Sequence, residues 1–147
     1  MGNLVIGTCT DTPEVSLPPT QAEDFGGTGW TLTGLVVDGT SGNLKLDTGE
    51  ASGTALSPIY QAENYAGGYG AFRMGGVNPL GCVIRARFRS AATAGAITAD
   101  TGGALWLPWT DVFDSEGIAR ADLDTMYANS ALTPGEYFQI EYYLRRQ

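Results

Sequence analysis

The sequence predicts an all-β protein, specifically an antiparallel β-sandwich of the jelly-roll, galactose-binding-like type with at most one short helix. One observation is that turn-forming pairs recur at short intervals: Asp38-Gly39, Ser41-Gly42, Gly67-Gly68, Gly75-Gly76, Gly102-Gly103 and Pro134-Gly135. A second is that the segments between them are short and rich in β-branched and aromatic residues, with no strand–helix–strand alternation. Many short strands joined by glycine-rich turns indicate a sandwich or a barrel.

Seven main strands are predicted, at residues 30–37, 44–46, 54–60, 69–74, 82–89, 105–110 and 137–144. Two of them alternate cleanly between apolar and polar positions. In residues 82–89, one face carries Cys82, Ile84, Ala86 and Phe88, and the other carries Val83, Arg85, Arg87 and Arg89. In residues 137–144, Phe138, Ile140, Tyr142 and Leu144 share a face opposite Tyr137, Gln139, Glu141 and Tyr143. This pattern is typical of antiparallel strands with one face in the core and one in water.

The remaining segments divide the chain into two parts. Residues 1–22 include a proline-containing stretch, residues 11–21, that cannot continue a central strand, so these residues form either a docking arm or an edge strand with a long loop. Residues 23–147 form the sandwich domain. The one helical candidate is residues 118–128, and its apolar stripe is weak enough to predict only one or two turns.

Composition excludes several functional classes. The chain has 147 residues, a formal net charge of −8 and no histidine. The absence of histidine removes Ser-His-Asp and Cys-His catalysis and histidine metal sites. The negative charge opposes binding to nucleic acid, and no segment reaches the roughly 20 apolar residues of a membrane span or resembles a secretory signal. We therefore expect a protein that binds or assembles rather than an enzyme.

The two cysteines, Cys9 and Cys82, lie far apart in the sequence. Disulfide frameworks usually contain more cysteines at closer spacing, and no CxxC pair is present for a thiolate zinc site. Two unpaired thiols are the favoured interpretation, and a single Cys9–Cys82 bridge is the alternative.

The order of motifs resembles a known group of domains. SGTALSPIY at residues 52–60 precedes NPLGCVIRARFRSA at 78–91, WLPWTDV at 106–112 and GEYFQIEYYL at 135–144. This order is similar to that of the jelly-roll, galactose-binding-like domains of bacteriophage tail and other virion proteins, over about residues 42–147. In the last motif, Glu136 stands where those domains commonly have arginine.

The resemblance implies a non-enzymatic structural subunit of a phage particle, in the tail, in the baseplate or associated with the capsid. Its partners would be other virion proteins and its own copies in a homo-oligomer such as a trimer, with a host glycan as a further candidate. It would be made in the host cytoplasm and end in the virion. The alternative function is a carbohydrate-binding module that recognises cell-surface glycans, and a polysaccharide hydrolase ranks below both.

Arginines and aromatic residues are the candidate ligand-binding groups. Arg85, Arg87 and Arg89 stand about 6.5–7 Å apart on one strand face, a row that suits carboxylates, phosphates or acidic sugars. Pairing with an acid on the next strand, with Glu141 as the obvious candidate, is the favoured alternative. Among the aromatic residues, Trp109 and Tyr65 are candidate sugar-stacking rings.

Two further expectations concern the aromatic residues and calcium. Trp106 and Trp109 are three residues apart, so in an extended chain one faces the core and the other faces solvent. Tyr65 lies in a glycine-rich loop and is expected to be exposed. Asp111, Asp114 and Glu116 are weak calcium candidates, but they do not continue into an EF-hand pattern, so no cofactor is predicted.

Overall fold

The computed structural model describes residues 14–16, 29–37, 44–62, 65, 67–69, 71–77, 83–110 and 118–146, with only the backbone described at 14–16, 71–77 and 118–121. These residues form ten strands and two short helices. In chain order they are β1 (Glu14–Ser16), β2 (Thr31–Thr33), β3 (Leu35–Val37), β4 (Leu44–Leu46), β5 (Ser52–Leu56), β6 (Tyr60–Gln61), β7 (Ala71–Val77), β8 (Val83–Ala91), α1 (Ala94–Thr98), β9 (Ile118–Asp122), α2 (Leu123–Ala128) and β10 (Tyr137–Arg145). The prediction of an all-β protein is confirmed.

The strands form two antiparallel sheets. Sheet A has the order β3-β4-β1-β7-β9. In sheet B, β10 pairs with β8 from Tyr137 to Arg145, and its other edge pairs with β5 and β6. Strand β2 extends sheet B by pairing with β5. β10 is therefore the strand around which sheet B is organised.

The main hydrophobic cluster combines side chains from both sheets. Sheet A contributes Leu35, Leu44 and Leu46, and sheet B contributes Ala55, Ile84, Ala86, Tyr142 and Leu144. A second cluster lies where α2 and the segment near Leu107 cover one end of sheet B, and it contains Phe88, Leu107, Leu123 and Tyr127. Within it, the Phe88 and Phe138 rings stack with their centroids 5.5 Å apart.

The predicted alternation of the two long strands is confirmed in part, because Arg89 and Gln139, on the face expected in water, are also buried. Ile84, Ala86 and Phe88 are buried on β8, as are Tyr142 and Leu144 on β10. Across the ladder, Leu144 lies opposite Ile84 and Tyr142 opposite Ala86, whereas buried Phe88 faces the half-buried Ile140. The period of two in the sequence thus predicts which face of sheet B is buried.

The predicted strand at residues 30–37 is wrong as a single element. Gly34 separates β2 from β3, and the two strands belong to different sheets. Gly34 has φ +70°, and a Cβ there would lie 2.7 Å from the carbonyl oxygen of Ser52. Only glycine combines this left-handed conformation with such close backbone approach, so the chain crosses from sheet B to sheet A at this residue.

The prediction of at most one short helix is also wrong. α1 occupies part of the small-residue loop after β8, where Thr93 caps it by accepting a hydrogen bond from the Ala96 N–H at 3.1 Å. In the predicted helix at residues 118–128, the first half is strand β9, paired with β7. Asp122 then caps α2 by accepting from the Thr125 N–H. Pairing with β7 outweighs the weak helical propensity of residues 118–122.

A short strand also lies within the proline-containing stretch, contrary to expectation. β1 pairs with both β4 and β7, so it is an interior strand of sheet A. It is only three residues long, from Glu14 to Ser16. Cys9 and Cys82 lie outside the described residues.

Two glycines give opposite predictions for substitution by alanine. At Gly135, a Cβ would lie 2.1 Å from the Ala91 carbonyl carbon, whereas at Gly95, inside α1, nothing lies within 4 Å. Gly135→Ala is expected to lower the free energy of unfolding by about 3 kcal/mol or more, because the backbone at Ala91 would have to move to make room for the Cβ. Gly95→Ala is expected to raise it by about 0.5–1 kcal/mol. Urea titration of both variants measures the difference, and equal effects would contradict the close approach at Gly135.

Alkaline pH is predicted to destabilise the protein through buried phenols. Burial, with a smaller contribution from Tyr60, raises the pKa of Tyr142 above its ordinary value. The unfolded phenol ionises near pH 10 while the folded one stays neutral, so this contribution is complete below pH 10 and is lost as pH rises above it. The urea midpoint should therefore fall between pH 9 and pH 11. Tyr142→Phe should show a shallower fall, and an unchanged slope would exclude Tyr142 as a source.

Candidate functional site: an arginine–tryptophan ladder

The outward face of β8 and β10 carries the predicted arginine row. The register places Arg85 opposite Tyr143, Arg87 opposite Glu141, and Arg89 opposite Gln139. All three arginines therefore lie on one face of sheet B, as their spacing predicts, with the side chains of β10 beside them.

Arg87 pairs with Glu141, which confirms the cross-strand pairing favoured from the sequence. The Arg87 Nη2 lies 2.6 Å from the Glu141 Oε1, and the Arg87 Nε donates to the same oxygen at 2.7 Å. Both side chains are partly exposed, at 28% and 17%. The carboxylate holds the guanidinium in one orientation on the sheet surface.

Two indole rings flank that guanidinium. The Arg87 Cζ lies 4.4 Å from the Trp106 ring centroid and 4.5 Å from the Trp109 ring centroid. The Trp109 ring in turn meets Tyr143 edge-on at 6.2 Å. Both indoles are thus within the range of a cation–π contact with one cation.

The expectation that one of the two tryptophans belongs to the core is wrong. Leu107 enters the core instead, at 2% exposure. Its N–H bonds to the Phe88 carbonyl and the Thr110 N–H bonds to the Ala86 carbonyl. Two residues, 108 and 109, therefore lie opposite the single residue Arg87. As in a β-bulge, one extra residue reverses the alternation, so both indoles lie against Arg87.

Arg89 anchors the loop that carries Trp106. Its guanidinium lies 4.4 Å from the Trp106 centroid and donates to Gln139 Oε1 and to Asp100 Oδ2, the latter at 2.9 Å. Asp100 also accepts from the N–H groups of Ala104 and Leu105. Burial alone would raise the pKa of Asp100, but these donors together with Arg89 outweigh it and lower that pKa. Arg89 is thus committed to internal contacts.

Arg89, Trp106, Arg87, Trp109 and Tyr143 form a continuous series, which we call the Arg–Trp ladder. It runs from a nearly buried end at Arg89, which is 9% exposed, to an exposed end at Trp109, which is 38% exposed. Among the described residues, Trp109 is the only large hydrophobic side chain classed as exposed. The ladder therefore presents one held indole to solvent.

The other predicted aromatic residue, Tyr65, lies in a different place. It is half-buried rather than exposed, and its ring packs on Tyr69 with centroids 5.2 Å apart. It lines an open groove of about 630 Å³, which we call the Tyr65 groove, together with Gln61, Ala62, Ala92, Pro134, Gly135 and Glu136. Sequence reasoning placed Tyr65 and Trp109 among the candidate ligand-binding residues, and the structure does not bring them together in this groove.

Acidic groups dominate the charge of the Tyr65 groove. Glu136 accepts a hydrogen bond from the Gln61 amide at 3.1 Å. The pKa of Tyr65 is raised by burial and, to a lesser extent, by the charge of Asp124, whose carboxylate accepts from the Tyr69 N–H. The described residues that line the groove include no lysine or arginine.

The predicted calcium candidates Asp111, Asp114 and Glu116 lie outside the described residues. Over the described ranges, no group of three or more metal-ligating side chains comes together. No helix in those ranges is long and apolar enough to cross a membrane.

Comparison with known proteins gives no relative for this chain. No protein-family model, no curated protein and no solved structure matches it. The resemblance to phage virion domains therefore stays a prediction that rests on its motifs.

Several residues of the ladder and the groove were missed at the sequence level. Asp100 and Glu136 are single acids in loops, and Tyr143 is one of several alternating residues of β10. The usable signal was cross-strand register, which pairs Tyr143 with Arg85 once β8 and β10 are known to be neighbours. The positions of Asp100 and Glu136 depend on how loops fold back on the sheet, so no local pattern contains them.

The Arg87–Glu141 pair is predicted to be energetically coupled. Arg87→Met leaves a half-buried carboxylate without its donor, and Glu141→Leu leaves the guanidinium without its acceptor, so each should cost about 1–3 kcal/mol of unfolding free energy. The double variant should cost less than the sum of the two singles, because neither charge is then left alone. Urea titrations of the four proteins measure the coupling. Additivity within about 0.5 kcal/mol would show that the pair contributes nothing specific.

Proposed function

We propose that this protein is a non-enzymatic assembly subunit of a bacteriophage virion, in the tail, in the baseplate or on the capsid, that acts by binding other proteins. The observation that carries the proposal is the exposed Trp109 indole at the end of the Arg–Trp ladder. Tryptophan, tyrosine and arginine are the residue types enriched at the energetic centres of protein interfaces. The outer face of sheet B combines all three.

Preorganisation makes this indole a suitable anchor. Trp109 is held between Arg87 and Tyr143, and Arg87 is held in turn by Glu141. A side chain ordered before binding loses little rotamer freedom on binding, a loss that otherwise costs about 0.5–1.5 kcal/mol per side chain. The ladder therefore suits a role in docking a partner with little rearrangement.

We further propose that sheets A and B pack face to face as a sandwich. The shared cluster of Leu44 from sheet A with Ile84 and Leu144 from sheet B supports this arrangement. In such a sandwich the inner faces of both sheets meet in the core and the outer faces stay available. The Arg–Trp ladder then lies on an outer face.

The virion assignment is supported by the order of motifs. Residues of the last motif hold the fold together: Gly135 allows close contact with Ala91, and the Gln139 amide donates to the Ser57 carbonyl at 2.8 Å. These contacts supply a structural reason for the Gly-x-Tyr-x-Gln pattern, at residues 135–139 of this chain, in the last motif of the domains it resembles. As in other assembly subunits, self-association into a closed symmetric ring such as a trimer is part of the proposal.

Carbohydrate recognition is the second candidate. It is favoured by the partly exposed Tyr65 ring beside the Gln61 amide and the Glu136 carboxylate, since aromatic faces stack on sugars and these polar groups can bond hydroxyls. This function would place the site in the Tyr65 groove rather than at the ladder.

The two candidates respond differently to Trp109→Ala. The assembly function predicts that the wild-type chain self-associates at micromolar concentration and that Trp109→Ala shifts it to monomer, with dissociation at least tenfold easier. Light scattering during size-exclusion chromatography measures the mass, and Thr48→Ala, at an exposed turn, is the matched control. A wild-type chain that stays monomeric to about 100 μM would contradict assembly. Glycan-array binding lost in Tyr65→Ala but kept in Trp109→Ala would then favour the carbohydrate function.

A further inference from the structure

Trp109, at the exposed end of the Arg–Trp ladder, and the Tyr65 groove lie towards opposite ends of β10. The groove borders Glu136, just before the strand begins at Tyr137, and Trp109 contacts Tyr143 near its other end. Glu136 and Tyr143 are seven residue steps apart, which is about 23 Å at the usual rise of an extended chain. One molecule therefore carries two separate surfaces, a partly exposed indole and an open groove.

The two surfaces are complementary in shape and polarity. The groove, at about 630 Å³, falls in the range of about 300–1,000 Å³ typical of clefts that take up a ring-bearing ligand. Its walls combine apolar groups of Ala92 and Pro134 with the aromatic face of Tyr65. An indole that entered it would have apolar contacts and a ring to pack against.

Their charges are also complementary. Beside Trp109, the outward face of sheet B carries the exposed Arg145, together with Arg87, which is paired with Glu141. The groove carries Glu136, with Asp124 near Tyr65. Because the whole chain has a net charge of −8, a cationic region on one copy also meets a generally acidic surface on another.

We infer that the partner of the Arg–Trp ladder is the Tyr65 groove of a second copy of this chain, with Trp109 of one protomer inserted between Tyr65 and Glu136 of the next. This inference rests on the proposed assembly function and names the surfaces that join the copies. A contact between two different surfaces is heterologous, so each protomer keeps one ladder and one groove for its two neighbours. Repetition closes a ring when the rotation allows it.

A mixing experiment tests the heterologous contact directly. Trp109→Ala removes the inserted ring but leaves the groove, and Ala92→Arg fills the groove with a bulky cation at an exposed position but leaves the ladder. Each variant alone is expected to be monomeric. Mixed, they should form one species containing one copy of each and nothing larger, because only one intact ladder and one intact groove remain. Native mass spectrometry with one variant labelled with ¹⁵N resolves that species.

Charge reversal supplies a second, independent pair of variants. Arg145→Glu and Glu136→Arg should each weaken self-association at least tenfold, and their 1:1 mixture should recover at least tenfold over either alone. Circular dichroism of all four variants, matched to wild type, shows that they are folded.

Three results would overturn the inference. If Trp109→Ala keeps the wild-type oligomer, the copies join through other surfaces. The same conclusion follows if Trp109→Ala and Ala92→Arg both lose the oligomer and their mixture forms no heterodimer. In either case the assembly function stands. If the wild-type chain is monomeric and a glycan protects Tyr65 in the groove, both the inference and the assembly function fail. The appearance of the mixed heterodimer supports both.

Discussion

The antiparallel pairing of β8 with β10 is the interaction on which the rest of the structure depends. Nine consecutive residues of each strand are in register, from Tyr137 opposite Ala91 to Arg145 opposite Val83. On one face this register brings together Ile84 and Leu144, which contribute to the core shared with sheet A. On the other face it brings Arg87 to Glu141. A shift by one residue would exchange the two faces, so core and surface are specified together.

The surface function proposed for the chain follows from that register and from one irregularity beside it. The segment of residues 107–110 pairs with β8 through Leu107 and Thr110 while holding one residue more than its partner. The extra residue turns Trp109 onto the same guanidinium as Trp106. Arg89, bonded to Asp100, keeps the intervening loop against the sheet. An exposed tryptophan is thereby supported by buried and half-buried polar contacts rather than left mobile, which is what a docking residue requires.

The distribution of charge connects the ladder to the groove. An acidic chain concentrates arginines on one strand face and keeps acids around the Tyr65 groove. Opposite charges at two ends of one strand favour head-to-tail contact between copies, whereas contact of a surface with its own symmetry mate would bring like charges together. Charge patterning therefore bears on how copies are arranged as well as on solubility.

The sequence by itself determined the all-β class, the core-facing side of β8 and β10, and the pairing of Arg87 with Glu141. These properties follow from a period of two, which depends only on backbone geometry and on where apolar residues stand. The tertiary structure alone decided that residues 118–122 form a strand, that Gly34 moves the chain between sheets, and that both tryptophans flank Arg87. Each of these depends on a neighbour distant in sequence: β7, the Ser52 carbonyl and the β8 ladder. Local propensity contains no information about such neighbours, so their effects appear only when the chain is folded.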